Sequence, residues 1–131
     1  MPEQLPFDID APIINIEDDD YGIWYMDAME NPNKYAGKTV NYNCIFFRPS
    51  GYSMTKFVPG RFAMTCCADD ITYLGLVCNT KNDIDLEERQ WINITAEIKV
   101  EYVRDYHDMG PVLYLKDIKT GEKPEDDLVY F

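Results

Sequence analysis

Hydrophobic and polar residues alternate with a period of two along much of the chain after residue 38. The alternation is clearest in residues 91–103, where apolar side chains occupy every second position from Ile92 to Tyr102. Shorter stretches of the same kind cover residues 39–48, 60–67, 72–78 and 111–118, and the second and third of these are separated by a tight turn. A period of two sends successive side chains to opposite faces of a strand. The pattern therefore predicts five half-buried strands.

A helical pattern precedes these strands. Apolar residues recur at near-helical spacing over residues 21–30, aspartates stand where they can cap the helix, and Pro32 follows its end. Residues 32–35 can add one further turn, which Gly37 would end because glycine tolerates the left-handed conformation. Residues 1–20 are rich in proline and aspartate and are predicted to be a lead-in segment with one short strand at most.

Five antiparallel strands of these lengths suit a small closed barrel, because closure removes exposed sheet edges. We therefore predict a mainly β fold in which residues 21–131 form a single five-stranded, OB-like barrel domain with an N-terminal helix. A small immunoglobulin-like β-sandwich is the alternative. A chain of 131 residues is long enough to bury one core without metal or disulfide help.

The charge of the chain excludes several kinds of function. It carries 24 acidic against 12 basic residues, a net charge of -12, which repels phosphate backbones. No apolar run approaches the roughly 20 residues that span a bilayer, and the first twelve residues do not resemble a signal peptide.

The sequence contains no GxSxG, Walker or HExxH motif. We expect no nucleic-acid binding, no cofactor and no enzymatic activity.

Four cysteines offer soft-metal chemistry, but their spacing does not match a paired CxxC zinc site. Cys44 and Cys78 lie on apolar faces of predicted strands, which indicates small buried hydrophobic residues. Cys66 shares an apolar face with Phe62 and Met64. Because neighbouring strand residues point to opposite faces, Cys67 is predicted to point outward or into a groove.

Cys67 is the centre of the predicted site. Arg61 and Thr65 share its face, and Asp70 follows at the turn. An arginine lowers the pKa of a thiol whereas a carboxylate raises it, so residue types alone leave open whether Cys67 is functional or packed. The candidate ligand- or partner-binding residues are Arg61, Thr65, Cys66, Cys67 and Asp70. Any metal would bind to Cys66 and Cys67, whose opposite orientations prevent chelation unless a bulge breaks the strand.

Other polar residues are predicted to be solvent-exposed. The acidic stretches at residues 18–20 and 83–88 lack the spacing and the central glycine of an EF-hand loop. His107, the one histidine, lies in a predicted turn. We interpret these residues as parts of solvated loops.

The run from Gly60 to Asp70, followed by Gly75, resembles the RFxxxCCAxD…G signature of the YcgQ-type family, in its soluble C-terminal domain. This is an uncharacterised bacterial group. Similar matches are an NPxKYxGK stretch at residues 31–38, an FR pair at 47–48 in place of YR, a tryptophan at residue 91 and a VY pair at 129–130. The resemblance covers residues 12–131. Cys44 stands where the family commonly has glycine, and Asp69 replaces a usual alanine.

In this family the domain usually follows a few membrane-spanning helices, and the genes neighbour predicted permeases related to arsenical exporters. The resemblance therefore implies a soluble, extracytoplasmic part of a membrane-associated protein that acts beside a permease. We expect a non-enzymatic accessory or binding domain. The alternative is a thiol-based site for a soft metal or metalloid at Cys66 and Cys67.

Overall fold

The computed structural model describes residues 4–64 and 70–130. Two helices precede the long strands: α1 spans Tyr21–Glu30 and α2 spans Pro32–Tyr35. A 3-10 turn, Asp18–Asp20, leads into α1. Gly37 has a φ of +80°, the left-handed conformation that favours glycine. These elements confirm the predicted helix at residues 21–30 and the added turn.

The described residues form nine strands. In chain order they are β1 (Ile14–Asn15), β2 (Thr39–Ile45), β3 (Lys56–Phe57), β4 (Gly60–Met64), β5 (Ile71–Gly75), β6 (Cys78–Asn79), β7 (Trp91–Val103), β8 (Asp108–Thr120) and β9 (Val129–Tyr130). Each of the five alternating stretches overlaps one of the longer strands, and the stretch at residues 72–78 is divided between β5 and the first residue of β6. The four two-residue strands have too few positions to show a period, and three of them were not predicted.

The strands form one mixed sheet in the order β3-β6-β8-β7-β2-β4-β5, while β1 pairs with β2 and β9 pairs with β4. The long β7–β8 hairpin is antiparallel and has an irregularity between Thr95 and Ala96. The mainly β class with an N-terminal helix is confirmed. The described pairings follow an open path and do not close into a ring, so the OB-like barrel is unconfirmed and a sandwich-like arrangement is plausible.

Helix α1 packs on the sheet through a cluster of aromatic rings. The Trp24 ring lies 5.0 Å from that of Tyr42 and 5.5 Å from that of Tyr21, and all three side chains are buried. Ile14 and Ile16, from the predicted lead-in segment, belong to the same core. Burial of each large apolar side chain contributes about 1.5–3 kcal/mol, so these contacts hold α1 and the lead-in on β2.

A buried carboxylate joins the two helices. Asp27 of α1 accepts hydrogen bonds from the Tyr35 hydroxyl at 2.5 Å, from Lys34 Nζ at 2.7 Å and from Asn31 Nδ2 at 3.0 Å. Burial alone would raise the pKa of Asp27, but the three hydrogen bonds and the Lys34 charge together lower it. The NPxKYxGK stretch therefore has a structural role, since three of its side chains hold α2 against α1.

Strand β4 changes partner along one edge. It pairs with β2 only at Gly60, and from Ala63 onward it pairs with β9. A Cβ on Gly60 would lie 2.2 Å from the Leu74 carbonyl oxygen, so glycine lets β4 approach β5 closely here. Arg61 and Phe62 lie between the two partners, where the sheet forks.

Candidate functional site

A cavity of about 430 Å³ opens at the fork between β2 and β4. We call it the fork cavity. Its apolar lining includes Ile45 at the end of β2, Phe62 of β4, Trp91 at the start of β7, Ile71 of β5, and Leu128 just before β9. The walls therefore come from strands that are far apart in sequence and meet where β4 leaves β2.

Arg61 belongs to the lining of the fork cavity and is only 1% exposed. Its Nη1 donates a hydrogen bond to Asp18 Oδ1 at 2.8 Å, and its guanidinium carbon lies 4.9 Å from the centre of the Trp91 ring. Its Nε is buried without a hydrogen-bond acceptor among the described residues. A buried donor without an acceptor is costly, so this atom requires a structural or functional reason.

The position of Arg61 corrects the predicted orientation of β4. The alternation places Phe62 and Met64 inside and Arg61 on the outer face, but Arg61 and Ala63 are buried while Phe62 and Met64 are partly exposed. Burial of Arg61 is tolerated because Asp18 supplies an opposite charge and Trp91 supplies a ring for stacking. Both partners are distant in sequence, so the local pattern could not indicate them.

Two further cations belong to the lining of the fork cavity. Arg89 is exposed, and its guanidinium carbon lies 5.0 Å from the centre of the Phe62 ring. Its backbone has a φ of +65°, which is unusual for a residue with a Cβ. Lys123 Nζ lies 3.8 Å from Asp127 Oδ2, and both side chains are more than half exposed. Sequence reasoning missed Arg89 and Lys123 because neither lies in a motif.

The charges around the fork cavity do not match the charge of the chain. Its lining contains three cationic side chains and one carboxylate, that of Asp127, and the Asp18 partner of Arg61 adds a second carboxylate. The lining of the fork cavity therefore has a small positive excess, which Glu88 of the adjoining cavity offsets, although the chain as a whole carries -12. A local positive field attracts anions even on an acidic protein.

A smaller cavity of about 290 Å³ adjoins the fork cavity and shares Ile45, Phe62 and Arg89 with it. Its wall is aromatic: the Tyr73 ring lies 5.2 Å from both Phe47 and Phe62, in edge-to-face contact. Glu88 is the carboxylate of the smaller cavity, and the two cavities together form a mostly apolar recess with Arg89 at their boundary.

The rest of the predicted site is only partly described. Thr65, Cys66 and Cys67 lie outside the described residues, so the thiol site and its soft-metal alternative stay predictions. Asp70 is described and is exposed. Within residues 4–64 and 70–130, no three potential metal ligands lie close enough together to bind an ion. Of the five candidates, the structure places Arg61 at a cavity.

The burial predicted for Cys44 and Cys78 and the exposure predicted for His107 are confirmed, whereas Asp18, assigned to a solvated loop, lies in a 3-10 turn and pairs with Arg61. Cys44 and Cys78 are buried and free, and burial raises the pKa of both thiols. His107 is exposed and has a φ of +56° just after a 3-10 turn. None of these three residues belongs to the lining of the fork cavity.

Arg48 has a structural role in the loop that follows β2. Its Nε donates to the carbonyl oxygens of Ser53 and Lys56 at 3.0 and 3.1 Å, and its Nη2 donates to those of Met54 and Ile84 at 2.9 and 2.7 Å. One guanidinium group therefore fixes four backbone carbonyls. This explains the arginine of the FR pair without a role in binding.

Comparison with known proteins agrees with the double-cysteine resemblance. The sequence profile of the DUF1980 C-terminal domain matches residues 1–131. The chain belongs to the DUF1980 C-terminal domain family. One relative of this DUF1980 chain is the UPF0703 protein YcgQ of Bacillus subtilis (strain 168), 25% identical over 118 residues. The match covers 89% of the chain but 41% of YcgQ, so the DUF1980 chain spans about two fifths of that relative's length.

The structure gives physical reasons for several features that the DUF1980 resemblance rests on. Arg61 and Phe62 of the RF pair and the tryptophan at residue 91 all belong to the lining of the fork cavity. Val129 of the closing VY pair is buried and pairs with Ala63. Among the described residues of this DUF1980 domain, no helix is both long and apolar enough to cross a membrane.

Proposed function

We propose that this domain is a non-enzymatic binding domain and that the fork cavity is its binding site. The observation that carries the proposal is a cavity of about 430 Å³ whose lining includes a nearly fully buried arginine with an unsatisfied donor. Ligand sites in proteins usually enclose about 300–1,000 Å³, with mostly apolar walls and a few polar groups that orient the ligand. The fork cavity has this size and this composition.

Binding fits the lining better than catalysis does. The polar side chains are two arginines, a lysine and one aspartate, and the aspartate lies beside the lysine. Acid–base or nucleophilic catalysis needs a nucleophile and a base within hydrogen-bond reach of each other. The described lining supplies groups that hold and orient a ligand.

The domain would perform this binding as an accessory part of a longer, membrane-associated protein, outside the cytoplasm and beside a permease. The family resemblance supports this setting, and the much greater length of YcgQ is in accord with it. The domain would then bind a ligand or partner for the permease.

The binding site can be tested by titrating the isotope-labelled domain with small neutral, cationic and anionic fragments while recording amide chemical shifts. We expect shifts concentrated at the fork cavity, around Phe62, Arg89 and Trp91. Ile71→Trp places a larger side chain in the lining without changing its charge, and it should weaken fragment binding by about tenfold or more.

Ile23→Trp is the matched control for Ile71→Trp. Ile23 is 48% exposed on α1 and Ile71 is 47% exposed, but Ile23 is not part of the cavity lining. Fragment binding should be unchanged in this control. If no fragment of any charge shifts the cavity amides, or if both tryptophan variants bind equally well, the fork cavity is not a binding site.

A further inference from the structure

We propose that the ligand of the fork cavity is a small carboxylic acid with an apolar body, bound as a monoanion. This assignment rests on the proposed function and names the ligand class. It is argued from the pairing of charges at the site, the shape of its donors and the composition of its walls.

Among the described residues, the ion pairs leave one cation of the cavity lining without a carboxylate partner. Arg61 is paired with Asp18 and Lys123 lies near Asp127, whereas Arg89 makes no ion pair with any described residue and contacts the Phe62 ring. Glu88 lines the adjoining cavity together with Arg89 but makes no ion pair with it, so the Arg89 guanidinium can pair with one negative charge on a ligand. A dianion would place extra negative charge near the carboxylates of Asp18, Asp127 and Glu88, on a chain that already carries -12.

The donors at the site fit a planar anion. A guanidinium group presents parallel N–H donors that match the two oxygens of a carboxylate, and Arg89 lies exposed at the cavity with such a group. Lys123, in the segment before β9, belongs to the same lining and can add a donor. The buried Arg61 adds positive charge where solvent screening is weak, and its Nε still lacks an acceptor.

The walls require an apolar body on the same ligand. The rings of Phe62 and Trp91 and the side chains of Ile45 and Leu128 surround the charged groups. A free inorganic anion would leave these surfaces hydrated, whereas an aromatic or aliphatic acid would cover them and remove apolar area from water.

Three probes with the same benzyl body test the charge. In a buffer above the second pKa of a phosphonate, phenylacetate is a monoanion, phenylacetamide is its neutral analogue and benzylphosphonate is a dianion. We expect phenylacetate to bind about tenfold or more tightly than phenylacetamide, and more tightly than benzylphosphonate. The chain has two tryptophans, and Trp91 alone belongs to the cavity lining. Tryptophan fluorescence can therefore follow binding, with Trp91→Phe as the check that the signal arises at the site.

A pair of arginine variants tests the role of Arg89. Arg89→Gln should weaken phenylacetate binding by about tenfold and phenylacetamide binding several-fold less, because the amide carbonyl loses a hydrogen-bond donor but no opposite charge. Arg104→Gln is the matched control, because Arg104 is also exposed but does not belong to the cavity lining. Amide spectra of both variants establish that they are folded.

Each other outcome has a distinct meaning. Equal affinity for phenylacetate and phenylacetamide, or equal loss for both probes in Arg89→Gln, overturns the carboxylate assignment and leaves the binding site standing. Tighter binding of benzylphosphonate than of phenylacetate overturns the assignment of the ligand as a monoanion. A fourth probe is an N-acetylated tripeptide that ends in phenylalanine. If it binds about tenfold more tightly than phenylacetate, the ligand is the carboxyl terminus of a polypeptide and not a small molecule. If none of the probes binds, both this inference and the proposed function fail.

Discussion

Replacing Tyr35 by phenylalanine tests the buried network that joins α1 and α2. Tyr35 is fully buried, and its hydroxyl donates a 2.5 Å hydrogen bond to Asp27. A hydrogen bond to a charged group contributes about 1.5–3 kcal/mol, and phenylalanine preserves the ring. For a chain of this length each kcal/mol corresponds to about 3–4 °C, so Tm should fall by about 5–12 °C near neutral pH.

The loss should depend on pH with a defined sign. In the native protein the pKa of Asp27 is lowered, because its hydrogen bonds and the Lys34 charge outweigh the opposing effect of burial. A carboxylate whose pKa is lower in the folded state stabilises the fold above its unfolded pKa, and that stability is lost as pH falls through the folded pKa. Tyr35→Phe removes one of the groups that lower this pKa. The stability difference between parent and variant should therefore be largest near neutral pH and shrink under acidic conditions.

Urea unfolding of both proteins at a series of pH values measures this difference. Tyr102→Phe is the control, because Tyr102 is 65% exposed and its hydroxyl makes no hydrogen bond to a described residue. Its free energy of unfolding should stay within about 0.5 kcal/mol of the parent value. An unchanged stability of Tyr35→Phe near neutral pH, or a loss that is constant with pH, would refute the role given to the Asp27 network.

Two further predictions concern the buried cysteines and Arg48. Burial raises the pKa of the Cys44 and Cys78 thiols, which are the two thiols left in a Cys66→Ser/Cys67→Ser variant. This variant should therefore react with a thiol reagent only as fast as it unfolds. Rapid labelling of the folded variant would contradict this. Arg48→Lys should lower the free energy of unfolding by about 2 kcal/mol or more, because lysine cannot reach four carbonyl oxygens at once. Urea unfolding measures that loss, and an effect no larger than that of the exposed Arg104→Lys would show that the carbonyl contacts contribute little.

The sequence predicts well what depends on neighbouring residues. The period of two located the long strands, and the period near 3.6 together with Pro32 located α1. These patterns arise because each element buries one face, and the residues of that face lie close together in the sequence. The alternation could not show that the β4–β2 pairing stops at Gly60, because that depends on β9, some 65 residues further along the chain.

The candidate site was harder to predict than the fold. Arg61 was selected as a neighbour of Cys67 on an outer face, whereas the structure buries it against Asp18 and Trp91. Arg89 and Lys123 carry no local signal, since isolated cations in polar segments usually lie in solvent. They become a site only when the loop before β7 and the segment before β9 meet at the fork.

The pairing of β9 with β4 also bears on how the domain is synthesised. Of the nine strands, β9 leaves the ribosome after all the others, so until then the β4 edge at Ala63 has unpaired backbone groups. An unpaired edge can template pairing with another chain, and it is a hazard for a nascent polypeptide. The residues before β9 also complete the wall of the fork cavity. The pairing of β9 with β4 therefore occurs late in synthesis, and it both protects this edge from aggregation and completes the fork cavity.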